Sequence, residues 1–134
     1  MEHLTEASSK LTRNQTLVLA VLTSATGPLT AYAILDLLRV KGFKAPLQVY
    51  RALDKLVACG MAHRLESMNA FVACRHPAGE KESTVAFTIC ETCGEVTEIA
   101  NETFEKSLAE LAVMSGFTLK KSMIELFGRC DQCD

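Results

Sequence analysis

Two thiol pairs constrain this chain more than anything else in it: Cys90-Glu-Thr-Cys93 and Cys130-Asp-Gln-Cys133, separated by 36 residues. Two residues between cysteines let both thiolates of one turn face the same tetrahedral ion, so two such turns make a closed four-cysteine zinc site. A closed site keeps no open position for a substrate, so zinc there is expected to staple the fold and not to catalyse. Disulfides and thiol–disulfide redox chemistry are the competing readings. The opening residues Met1–Lys10 lack a basic segment followed by an apolar stretch, so no export signal is expected, and a reducing compartment favours zinc. The separation exceeds the ~15–20 residues of a compact zinc ribbon, so a whole helix and strand are expected between the two turns.

At 134 residues the chain holds one ordinary domain or two small ones, and 49% hydrophobic residues are ample for a core. No apolar run approaches the ~18–20 residues of a membrane helix; Leu17–Leu22 is too short. A soluble, cytoplasmic protein is expected, with no membrane partner. The charge is unevenly spread. Residues 1–79 carry nine Lys/Arg and five Asp/Glu, a balance of +4, whereas residues 80–134 carry five and eleven, a balance of −6. This split suggests a mildly basic module that meets an anion, joined to an acidic module with another task, although basic residues more often form a solvated face.

Residues 13–25 read as a helix closed by Gly27-Pro28. Thr30 can cap a second helix with Leu35, Leu37 and Leu38 on its buried side, ending near Gly42. Pro46 suits the first turn of a third helix ending at Gly60, on which Val49, Leu53, Leu56 and Val57 make one apolar stripe. Gln48, Tyr50, Arg51, Asp54 and Lys55 then fall on or beside its exposed face. Strands near 61–66 and 70–74 follow, with a turn at Ser67-Met68-Asn69-Ala70. Three helices and a β-hairpin compose a winged helix-turn-helix, a DNA-reading unit. The fold class is thus expected to be α+β, with a winged-helix domain over 1–74, a hinge over 75–84 and a second domain over 85–134. In that second domain strands are expected near 85–90, 95–100 and 117–127. Asn101 caps a helix there, with Glu102 and Glu105 at its positive end and Phe104, Leu108, Leu111 and Ala112 facing a core.

A hairpin symmetric about Met68-Asn69 sets Ser67 opposite Ala70, Leu65 opposite Val72 and His63 opposite Cys74. Opposed Cβ atoms lie ~4.5–5.5 Å apart, so an imidazole and a thiolate could share one ion. A site needs further donors; His76 and Glu98 are available, with Glu80 and Glu82 as weaker candidates. The bland alternatives are an exposed polar His63 and a small buried Cys74. Cys59 reads as packing, and His3 has no assigned role. Tyr50 and Arg51 near the start of the third helix are the natural base readers: an Arg fork pairs with guanine and a Tyr ring packs on a thymine methyl. The alternative is an ordinary solvent-facing pair with Arg51 bridging Asp54. Tyr32 could approach the sugar–phosphate backbone or a groove edge.

Gln48-Val-Tyr-Arg-Ala-Leu-Asp-Lys-Leu56, Gly60-Met-Ala-His-Arg-Leu-Glu-Ser67, Ile89-Cys-Glu-Thr-Cys-Gly94 and the closing Cys130-Asp-Gln-Cys133 together resemble the ferric uptake regulator superfamily, most closely its zinc uptake branch. The likeness runs from about Leu11 to the end. It implies a homodimeric repressor binding a palindromic operator in double-stranded DNA, with a C-terminal dimerisation module and no small-molecule substrate. It further implies Zn(2+) at two sites per subunit: a structural zinc on Cys90, Cys93, Cys130 and Cys133, and a regulatory zinc on His63, Cys74 and Glu98. Tyr32, Tyr50 and Arg51 match DNA-contacting positions. The sequence departs from the pattern where relatives carry a histidine shortly before the first thiol pair. Ser83 stands at or beside that position, and His76 is the expected substitute. The sequence ends one residue past Cys133, so no further metal-binding tail is expected.

Two other functions share this fold or its parts. An iron or peroxide sensor would use nitrogen- and carboxylate-rich hinge sites, whereas this chain has three histidines in all and a thiolate that favours zinc. A protein-interaction module would hold one zinc per chain instead of two. An enzyme is not expected, since no catalytic triad, phosphate loop or paired carboxylate can be read.

Overall fold

The computed structural model describes residues 11–75 and 84–133, and the contacts between residues divide the chain into two units, Met1–Glu80 and Lys81–Asp134. Most of the expected hinge, with His76, Glu80, Glu82 and Ser83, lies outside the described residues, as does His3.

In the first unit, helix α1 (Arg13–Ser24) starts with a capping box. The Thr12 hydroxyl accepts from the Gln15 N–H at 3.2 Å while the Gln15 side chain accepts from the Thr12 N–H at 3.0 Å. Helix α2 (Ala31–Leu38) is capped as expected by Thr30, which accepts from the Ala33 N–H at 3.1 Å. Its buried side is Ala31, Ile34, Leu35 and Leu38, spaced i, i+3, i+4 and i+7; Leu37, expected inside, is 56% exposed, because it lies two residues from Leu35 and off that stripe. A short 3₁₀ turn at Arg39–Lys41 ends at Gly42, whose φ of 100° a side chain would resist. Helix α3 (Pro46–Ala58) opens on Pro46 and buries Val49, Ala52, Leu53 and Leu56 at helical spacing. These stripes meet Val18 and Leu22 of α1 in a single apolar cluster.

Strands β1 (Ala62–Leu65) and β2 (Ala70–Ala73) form an antiparallel hairpin, and Leu29 adds a bridge to Phe71 through backbone hydrogen bonds of 3.0 and 2.8 Å. The register differs from the expected one by two residues. Leu65 pairs with Ala70, Arg64 with Phe71, and His63 with Val72, not Cys74. The turn takes in Glu66 to Asn69, one residue earlier than expected, with Asn69 in the left-handed region at φ 49°. A shift of two keeps every side chain on its face, whereas a shift of one would have turned His63 away from Cys74.

The second unit is a three-stranded sheet in the order β4–β3–β5, built from β3 (Thr84–Cys90), β4 (Val96–Ile99) and β5 (Ser122–Gly128). β3 runs antiparallel to β4 and parallel to β5, so helix α4 (Glu102–Met114) is part of the crossover the parallel pair requires. Asn101 caps α4, accepting from the Phe104 N–H at 3.0 Å. The strand expected over 117–127 begins only at Ser122. That residue meets Thr84, the first residue of β3, and among the described residues no strand pairing precedes it. The apolar stripe of α4 is not a core within the chain: no residue of the helix is buried, and Leu111 is 60% exposed. Among the described residues, no helix is long and apolar enough to cross a membrane.

Candidate metal centres and nucleic-acid interface

The parallel pairing of β3 and β5 explains how thiol pairs so distant in sequence come together. Cys90, the last residue of β3, pairs with Gly128, the last of β5, and the Glu91 N–H donates to the Gly128 carbonyl at 2.8 Å. Both strands therefore end at the same edge, and each continues directly into a Cys-x-x-Cys turn. Gly94, at φ 79°, lets the first turn double back toward β4.

Cys90, Cys93, Cys130 and Cys133 each offer a sulfur within 4.8 Å of the others, and none of the six cysteines is joined in a disulfide. The Cys93 and Cys130 sulfurs stand 3.7 Å apart, far beyond the ~2.05 Å of a disulfide. A tetrahedron of sulfurs each ~2.3 Å from a zinc ion has an edge of about 3.8 Å, so the observed spacing fits the ion. The N–H groups of Cys93 and Cys130 both donate to the Cys90 sulfur at 3.4 Å. Those backbone donors lower the Cys90 thiol to about 5, favouring the thiolate a metal needs. The hydrogen bond with Cys130 pushes the Cys133 thiol up to about 12. Cys93 is drawn down by the Glu95 N–H, but hydrogen bonding with Cys90, burial and Cys130 leave it raised overall. Without an ion these sulfurs must share protons among themselves; a divalent cation would supply the positive charge that lets all four ionise.

His63 and Cys74 form a second donor pair, in the first unit. The two-residue register shift makes them diagonal neighbours on one face instead of directly opposed, and a ring nitrogen of His63 still comes within 4.8 Å of the Cys74 sulfur. The Cys74 N–H donates to the Met61 carbonyl at 2.9 Å, which holds the residue against the base of the hairpin. Both side chains are half-buried, so neither bland reading, a fully exposed histidine or a packed cysteine, describes them. Glu98 is on β4 of the second unit, opposite Phe87, and is half-buried. Cys59, read as packing, is exposed: it follows the last turn of α3, past the buried stripe that ends at Leu56.

Of the expected DNA readers, Tyr32 is 62% exposed near the start of α2 and Arg51 is exposed on the first half of α3. Tyr50 is half-buried, its ring leaning on the core. Arg39 pairs with Asp36 and Arg64 with Glu66, whereas Arg51 does not bridge Asp54. Gln48 was placed only on the outer side of α3 by sequence reasoning, yet its side chain holds the helix start. It accepts from the Lys44 and Ala45 N–H groups at 2.6 and 3.0 Å, replacing the cap that Ala45 cannot supply. The signal was present in the sequence, a Gln three residues after the residue that precedes the helix.

Residues 6–127 match the Ferric uptake regulator family, and the chain belongs to that family. It is 39% identical over 74 residues to the zinc uptake regulation protein of Escherichia coli K12, a match spanning 55% of this chain and 43% of that protein, so less than half the length of that relative is represented. Among solved structures it is similar to a zinc uptake regulator complexed with zinc and DNA, at 36% identity and a TM-score of 0.86, covering 98% of this chain and 93% of that one. It is also similar to holo XcZur, at 39% identity and a TM-score of 0.82, covering 92% and 85% of the two chains.

Proposed function

We propose that this chain is a zinc-responsive, DNA-binding transcriptional repressor of zinc uptake genes, acting in the cytoplasm as a homodimer on palindromic operators. The observation that carries this is its likeness, over nearly its whole length, to a zinc uptake regulator complexed with zinc and DNA. In this reading residues 1–74 are a winged helix-turn-helix that sets α3 in the major groove, with Tyr50 and Arg51 at the base edges and Tyr32 at the backbone. Residues 75–84 are the hinge, and residues 85–134 the dimerisation and metal-binding domain.

Two zinc ions per subunit have separate tasks. The four-cysteine ion ties the ends of β3 and β5 together permanently. The second, on His63 and Cys74 with Glu98 and His76 completing the set, fixes the two domains of each subunit relative to one another. Both reading helices of a dimer are then presented one helical turn of DNA apart. Without that ion, ordering the heads costs affinity; moving such an equilibrium from 1:99 to 99:1 takes about 5.5 kcal/mol, within the ~10–16 kcal/mol a zinc site releases. The thiolate at Cys74 supports zinc over ferrous iron as the sensed metal.

Dimerisation has its own support. One edge of β5 pairs with no strand among the described residues, and α4 carries exposed Phe104, Leu111, Val113 and Met114. Open edges and exposed large apolar side chains are features that a second copy covers.

The test is DNA binding with and without zinc, together with a metal count by native mass spectrometry. The expected protein is a dimer with two zinc ions per subunit that loses its operator when a mild chelator removes one of them. A His63→Ala variant should retain one ion and bind DNA weakly; equal binding with and without chelator would sink the reading.

A further inference from the structure

Gln48 combines two facts that limit what it can offer a partner. Its side-chain oxygen already accepts two backbone hydrogen bonds, from Lys44 at 2.6 Å and Ala45 at 3.0 Å. Both donors are N–H groups, so the atom they meet is the carboxamide oxygen, and two bonds use both of its lone pairs. What remains is the NH₂ group, with two hydrogens to give and nothing to accept with. Glutamine reads adenine by using its oxygen and nitrogen together, which Gln48 cannot do while it holds the start of α3.

The surroundings indicate which acceptor would suit such a donor. Gln48 lines a recess of about 410 Å³ with Arg51, one turn further along α3, and with Thr12, Asn14, Gln15 and Leu47. Arg51 is cationic, and the first turns of both α1 and α3 open on the recess with the positive ends of their helix dipoles. The expected DNA reader Tyr50 lies between Gln48 and Arg51 in sequence. Resting on the DNA-binding reading above, we propose that Gln48 is a donor-only clamp on a backbone phosphate of the operator. One side chain thereby fixes the helix start to its own chain and to the DNA, setting the depth and register at which Arg51 and Tyr50 meet the bases.

Substituting Glu for Gln48 separates the two jobs. A carboxylate of the same shape still accepts from Lys44 and Ala45, and a negative charge is favourable at a helix start. It has no hydrogen to give and repels phosphate. The zinc-loaded chain is compared on a duplex selected by it from random sequences and on a scrambled duplex of the same length. For Gln48→Glu the melting temperature and zinc content should hold, while affinity falls about tenfold or more, by a similar factor on both duplexes. Gln48→Ala should melt lower yet bind DNA better than Gln48→Glu, since it brings no charge. A residue that only capped the helix would give the opposite order, with Gln48→Glu binding within twofold of the unchanged protein, and that result overturns the proposal. A loss confined to the selected duplex also overturns it, by assigning Gln48 to a base edge. If the unchanged protein ignores the selected duplex in the presence of zinc, the DNA-binding reading itself has failed; if it binds and Gln48→Glu binds equally, only the clamp has.

Discussion

The first unit covers its apolar side chains and the second leaves many of its own bare. Val18, Leu22, Ile34, Leu35, Val49, Leu53 and Leu56 are all buried, drawn from three helices into one cluster. In the second unit the buried hydrophobics, among the described residues, are confined to β3: Val85, Ala86, Phe87, Ile89 and Cys90. Helix α4 buries none, and Leu126 and Phe127 on β5 are exposed. Burial stabilises by roughly 25 cal/mol per Å² of apolar surface, so the first unit has its driving force within one chain. The second lacks it. A unit this short and this exposed needs a staple and a partner, and the four thiols and the bare apolar surface are the places for them.

The widest separation between the units is expected on removing the four-cysteine ion. A structural zinc site contributes an apparent ~10–16 kcal/mol, more than a small domain's entire stability. Cys130→Ser should therefore unfold the second unit and abolish the dimer while leaving the first unit folded. Hydrogen exchange resolves this residue by residue. Protection should vanish across β3 and β5 and persist at Leu53 and Leu56; joint loss in both units would show that the first is not self-sufficient.

A sharper contrast comes from the same truncation in each unit. Leu53 is fully buried, so Leu53→Ala should cost about 2–5 kcal/mol at any protein concentration. Leu111, 60% exposed in its own chain, should cost little within the monomer. Leu111→Ala should instead weaken the dimer, so its melting temperature falls further as the protein is diluted. Sedimentation across a hundredfold range of concentration checks this. A concentration-independent loss at Leu111 would mean that α4 packs within its own subunit.

That contrast also marks what the sequence could and could not convey. Helix starts at Thr30, Pro46 and Asn101 were legible because capping is a local property of a few neighbouring residues. The thiol pairs were legible because their spacing is itself the chemistry. Leu37 was misplaced because three leucines in four residues cannot all share one face of a helix, and the i, i+3, i+4, i+7 stripe from Ala31 through Ile34 and Leu35 to Leu38 leaves it out. The hairpin was offset by two residues because its turn is centred on Ser67-Met68, one residue earlier than expected, yet His63 and Cys74 still meet, since alternation along a strand survives any even shift. The stripe on α4 was correctly seen as apolar and wrongly given a core in its own chain. Periodicity tells which face seeks cover, not which molecule supplies it.

The smallest expected effect tests that last distinction. Thr12 and Asn101 each cap a helix, α1 in the first unit and α4 in the second, with similar hydrogen bonds of 3.2 and 3.0 Å. Replacing either by Ala removes about 1 kcal/mol of helix stability. In α1 that loss falls on a helix already packed against α3, so the melting temperature of Thr12→Ala should drop by the same few degrees at every concentration. In the proposed dimer α4 is held by the second subunit, and the change is carried twice. Asn101→Ala should then loosen the dimer by about 2 kcal/mol, roughly thirtyfold in dissociation constant, with the shift in melting temperature growing on dilution. Identical, concentration-independent shifts for both variants would place the stability of α4 inside the monomer and remove the contrast between the two units.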